Sequence, residues 1–94
     1  MAEMVAATQA NEPGTLDYEW NVSVDGTQCH MFERYVDSAA TMAHLATSGE
    51  KFAGRFEIVT PMRFVVYGSP SAAVKEALAE ASPVYMSLAN GFSR

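Results

Sequence analysis

The 94-residue chain predicts one small α+β domain, 1–94, in which helices cover one face of an antiparallel sheet. Three observations carry this. Residues 15–24 alternate apolar and polar side chains, the period of a half-buried strand. Asp25-Gly26 follows directly, a strong signal for a two-residue hairpin. Alanine-rich stretches of helical character lie on either side of this strand pair.

Taken in order, residues 1–10 read as helix, with Met1, Met4, Val5 and Thr8 on one face. Asn11-Glu12-Pro13-Gly14 ends it, because proline cannot continue a helix and glycine permits the turn. In the strand that follows, Leu16, Tyr18, Trp20, Val22 and Val24 point one way; Asp17, Glu19, Asn21 and Ser23 point the other. Residues 27–36 form the return strand. Asp37 or Ser38 then caps a helix by accepting an orphan backbone N–H. Gly49 costs helix stability, so a break or kink is expected there before the helix resumes through Phe56. Met42, Leu45, Phe52, Ala53 and Phe56 supply its buried stripe. Thr60-Pro61 opens a strand over 62–68. Ser69 caps, and Pro70 begins, a helix over 71–81 with Val74, Ala77, Leu78 and Ala81 inward. Pro83 ends it, and the apolar tail from residue 84 requires burial on its own subunit or a neighbour.

The order α-β-β-α-β-α-tail matches a ferredoxin-like β-α-β-β-α-β domain that has lost its first strand. Either the chain begins at an internal methionine of a longer protein, or the strand-like tail 84–88, from this chain or a partner, fills the vacant place. An unfilled edge would be hazardous.

Composition narrows the function. A net charge of −5 repels phosphate backbones and argues against nucleic acid. No basic run suggests a membrane surface, and no apolar run approaches the ~20 residues of a membrane span. The lone Cys29 cannot form an internal disulfide, and no signal peptide is visible, which together fit the cytoplasm. With 49% hydrophobic residues, the chain has more apolar surface than one small core can hide, which favours a homodimer.

Four segments are informative together: Glu12-Pro13-Gly14-Thr15-Leu16 with Tyr18-Glu19-Trp20; Cys29-His30 with Glu33-Arg34-Tyr35; Asp37-Ser38-Ala39-Ala40 with Ala43-His44-Leu45; and Phe52-Ala53-Gly54-Arg55-Phe56. Their order and spacing resemble the antibiotic biosynthesis monooxygenase (ABM) domain superfamily, of the quinol-monooxygenase-like kind. The resemblance implies a dimeric α+β barrel with a small pocket in each subunit between sheet and helices. Some members oxidise quinol-like or polyketide aromatics with dioxygen and without metal or flavin; others degrade haem or isomerise small molecules. Two departures stand out. Relatives often carry a second histidine where Lys51 precedes Phe52, and the haem-degrading members use a tryptophan that this helix lacks.

His30, in the return strand, is of a residue type whose ordinary pKa lies near working pH and so suits acid–base catalysis; the alternative is a strand histidine satisfied by a neighbour. A helical wheel puts His44 opposite a Met42/Ala43/Ala46 stripe, at the rim, whereas the resemblance puts it in the pocket. The resemblance also puts the Glu33 carboxylate near the helix, where it could orient a histidine; the alternative is an ion pair with Arg34, Arg55 or Arg63. Tyr18, Trp20 and Phe32 could wall a pocket for a planar aromatic or simply form core. The phenols of Tyr35 and Tyr67 could bond a substrate oxygen or a dimer partner. Asp17, Glu19 and Asn21 read as interface, with Arg34 or Arg63 as partners. Cys29 reads as a structural thiol, and no metal-ligand spacing is present. The resemblance thus implies a cofactor-independent monooxygenase of a small quinol-like aromatic, using no metal. The alternative is a non-catalytic small-molecule-binding or stress-response protein of the same fold.

Overall fold

The computed structural model describes residues 2–52 and 63–94, with side chains described outside 48–52. The chain forms two compact units, Met1–Glu50 and Lys51–Arg94.

In the first unit, α1 (Ala2–Asn11) leads through a short turn to β1 (Thr15–Val22), which pairs antiparallel with β2 (Cys29–Tyr35); α2 (Ser38–Phe52) follows. Met4 and Thr8 of α1 are buried, as the helical period requires. The Pro13-Gly14 turn closes with the Thr15 amide donating to the Glu12 carbonyl at 3.0 Å. Gly14 also carries a packing role: a Cβ there would lie 2.6 Å from the Ala40 Cβ of α2. Its carbonyl accepts from the Val36 amide at 2.9 Å, so this turn is fastened against the start of α2.

The register is Tyr18↔Glu33, Glu19↔Phe32, Trp20↔Met31 and Asn21↔His30. Opposed residues share a face, so Tyr18, Trp20, Met31 and Glu33 look one way and Glu19, Asn21, His30 and Phe32 the other. A bulge between Thr15 and Asp17 interrupts the strict alternation expected from Leu16 onward, and Leu16 is half-exposed. Asp25-Gly26 does turn the chain, but inside a connection of 23–28 rather than a two-residue loop. The Asp25 carboxylate organises that connection, accepting from Ser23 Oγ, Thr27 Oγ1 and the Thr27 amide. Gly26 has φ 74°, the left-handed region glycine enters freely.

Asp37 caps α2, its Oδ1 accepting from the Ala40 amide at 2.8 Å. The helix then runs unbroken past Gly49 to Phe52. A glycine costs about 1 kcal/mol in a helix interior, which is too little to break one without a proline. The inward face also differs from the wheel. Ala43 and Ala46 are exposed, whereas His44 is only 1% exposed. Ala53 and Phe56 of the expected stripe lie outside the described residues.

In the second unit, β3 (Val65–Tyr67) is followed by α3 (Ala72–Leu78), a 3-10 turn (Ala79–Ala81) and β4 (Val84–Met86). Ser71, not Ser69, caps α3: its Oγ accepts from the Val74 amide at 3.3 Å, which leaves Pro70 before the cap. Val74 is buried and Leu78 half-buried, whereas Ala77 and Ala81 are exposed. The apolar tail does become a strand of its own chain: β4 runs parallel to β3, with Val66 opposite Tyr85. Such parallel pairing through a helix is the usual β-α-β connection. Among the described residues β2 pairs only with β1, and β3 only with β4.

Candidate functional site

The inner face of the hairpin and α2 meet at His44. Ala40 packs against Gly14, and His44 lies one helical turn further along the same face of α2. The α1–β1 turn thereby delivers Glu12 to the imidazole: Glu12 Oε1 lies 2.7 Å from His44 Nδ1. Glu33, from β2, approaches the other ring nitrogen, with Oε1 3.7 Å from Nε2. Glu12 is itself held by the Thr15 hydroxyl, which donates to Oε1 at 3.1 Å. The Tyr35 hydroxyl donates to Glu33 Oε2 at 2.5 Å. The rings of Tyr18 and Tyr35 flank His44, with centroids 5.2 and 5.6 Å from the imidazole, and Trp20 meets Tyr18 edge-on at 6.3 Å.

The electrostatics follow from this arrangement. Burial alone would lower the His44 pKa, but the Glu33 and Glu12 carboxylates outweigh it and raise the pKa above the ordinary imidazole value. For Glu33, desolvation pushes upward, yet the neighbouring His44 and the Tyr35 hydroxyl outweigh it and leave its pKa lowered. Tyr35 is pushed well above the usual phenol range, first by burial and then by the adjacent Glu33 charge. The cluster is therefore a histidinium between carboxylates at low pH and a neutral imidazole, able to accept a proton, at higher pH.

The structure brings together His44, Glu33, Tyr18, Trp20 and Tyr35. It does not bring in His30 or Phe32, which lie on the opposite face of the hairpin and are exposed. On that face Arg34 Nε donates to Asp17 Oδ2. Arg34 is therefore paired with Asp17, and Glu33 faces His44. The rim position that the wheel gives His44 is overturned by its burial, which the two carboxylates make tolerable. Glu12 was missed as a site residue. One signal could have found it: a carboxylate immediately after a helix C-terminus opposes the helix dipole, so its presence there asks for another reason.

An open depression adjoins this cluster, lined by Ala2, Val5, Ala6 and Gln9 of α1 and by residues 18–21 of β1. Tyr18 belongs to both: it lines the depression, and its ring lies 5.2 Å from the imidazole of His44, centroid to centroid. Among the described residues no cluster of His, Cys, Asp and Glu could hold a metal ion.

The α1–hairpin–α2 unit thus holds a buried histidine at its centre. The family model for antibiotic biosynthesis monooxygenases matches residues 1–52, more than half of the chain, and the chain belongs to that family. Among solved structures it is similar to MupZ from Pseudomonas fluorescens, with 29% identity and a TM-score of 0.85 over 99% of this chain and 76% of that one. The fold class is accordingly a small ferredoxin-like α+β fold. No curated protein matches the chain. No helix among the described residues is long and apolar enough to cross a membrane.

Proposed function

We propose that residues 1–94 form one ABM-type domain that acts as a cofactor-independent monooxygenase on a small quinol-like aromatic, with His44 as the proton acceptor. The observation that supports this most is the buried His44, held between Glu12 and Glu33 and flanked by aromatic rings. A planar substrate stacks on Tyr18 and Trp20 in the adjoining depression. Its hydroxyl proton passes to the neutral imidazole, and the phenolate that results is the electron-rich form that dioxygen can oxidise. One electron moves from phenolate to dioxygen, and the two radicals combine to form a carbon–oxygen bond. The imidazolium returns its proton to the peroxide anion, and the hydroperoxide then loses water, with the hydrogen of the same carbon, to leave a carbonyl. Tyr35 and Glu33 form the polar end of the site, where Tyr35 keeps its proton and remains a donor. His30 and Phe32 belong instead to a face that, in a homodimer, turns toward the partner. The domain's lone cysteine fits a cytoplasmic setting.

Oxygen uptake with a hydroquinone series tests this reading directly. Uptake in the wild type that falls at least tenfold in His44→Gln and stays within twofold in His30→Gln supports it. Saturable binding of the same hydroquinones without any uptake would replace it with the small-molecule-binding reading.

A further inference from the structure

We propose that Glu12 is the positioning residue for His44: it holds the ring nitrogen Nδ1 as an N–H donor and so leaves Nε2, on the Glu33 side, as the atom that exchanges a proton. This rests on the reading of His44 as the proton acceptor, and it names which of the two nitrogens does the work.

The two carboxylates act on the ring differently. Glu12 Oε1 stands at hydrogen-bond distance from Nδ1, 2.7 Å, whereas Glu33 Oε1 is 3.7 Å from Nε2, within reach of charge but beyond a hydrogen bond. When the ring carries a single proton, that proton belongs where it forms the short charge-assisted bond, on Nδ1. Glu12 is also built to hold still. The Thr15 hydroxyl donates to the same oxygen, and the Thr15 amide donates to the Glu12 carbonyl. The Glu12 amide donates to the Thr8 carbonyl at 2.9 Å, and Gly14 fits against Ala40 with no room for a side chain. Glu12 is 10% exposed at the side chain and His44 2%, so water competes little for the bond. Glu33 spends its other oxygen on the Tyr35 hydroxyl. Among the described residues, the groups facing the ring include Glu12 from the α1–β1 turn, Tyr18 from β1, and Glu33 and Tyr35 from β2.

Long-range ¹H–¹⁵N correlation of the ring nitrogens in the full chain, recorded across pH, reads the tautomer without any substrate. In the wild type the neutral ring should carry its proton on Nδ1. Glu12→Gln keeps a carbonyl acceptor but loses the charge: it should keep that tautomer and lower the titration midpoint by about one unit. Glu12→Leu removes the acceptor as well, so the Nε2–H tautomer should appear in it. Glu33→Gln should lower the midpoint yet leave the proton on Nδ1. A neutral wild-type ring protonated on Nε2 overturns the proposal, as does a Glu12→Gln midpoint equal to the wild type's. If Glu12→Leu does not fold, the wild-type tautomer and the Glu12→Gln midpoint decide the matter. If hydroquinone uptake fails while the Nδ1–H tautomer holds, the monooxygenase reading falls and the role of Glu12 in fixing the imidazole stands.

Discussion

At the scale of single residues, burying an imidazole between carboxylates makes stability depend on pH in a definite direction. The His44 pKa is raised from its ordinary 6.5, so its contribution is fully present below about 6.5 and is lost as pH rises through the folded-state value. The Glu33 pKa is lowered from 4.5, so its contribution is present above about 4.5 and is lost as pH falls through its folded-state value. The cluster should therefore stabilise the fold most between about pH 4.5 and 6.5, and thermal melts should show the melting temperature falling on the alkaline side. His44→Gln should abolish that alkaline fall and cost about 2–3 kcal/mol at pH 6, because two carboxylates lose their cation. Gly14→Ala should cost about 1–3 kcal/mol in denaturant unfolding, since its Cβ would push into Ala40. Glu33 and His44 were legible as candidates from residue type and family pattern. The depth of His44 was legible only through the resemblance, because the wheel treated exposed Ala43 and Ala46 as core, and alanine sits comfortably on either side of a helix.

Helices and strands were legible where a strong period or a cap marked them. The 15–24 alternation gave β1, and Asp37 gave the start of α2. Glycine and serine misled, because their meaning depends on the contacts around them. Gly49 reads as a break, yet α2 passes through it. Gly49→Ala should accordingly raise stability by about 0.5–1 kcal/mol in a melt, the gain expected when alanine replaces glycine in a helix. Ser69 reads as a cap, yet Ser71 makes the bond to the Val74 amide. The hairpin connection is ordered by Asp25, whose pKa is held down to about 2, first by the hydroxyls of Ser23 and Thr27. Asp25→Ala should speed amide exchange across 23–28 while leaving the β1–β2 ladder protected.

On the scale of the whole molecule, the alternation and element order were enough to identify an α+β fold of ferredoxin-like type, and the four short segments were enough for the family. On the outer hairpin face Phe32 is 50% exposed, on the same side as the Arg34–Asp17 pair. An apolar ring among charged groups on an open sheet face suits a second copy of the chain. Sedimentation velocity should show a dimer for the wild type, and Phe32→Asp should shift it toward monomer at micromolar concentration. The sequence could not separate this face from the inner one for His30 and Phe32. Their side depends on the register of β2 against β1, which the turn and the bulge at Leu16 set.

The pH dependence of hydroquinone-driven oxygen uptake, measured on wild type and on Glu12→Gln together, reaches the central claim most directly. A proton acceptor clamped by carboxylates gives a rate that rises with pH through a midpoint above 6.5 in the wild type. In Glu12→Gln that midpoint should move to lower pH. A wild-type rate with no rise across this range, or one whose midpoint ignores the loss of the Glu12 charge, would contradict the assignment of His44 as the base.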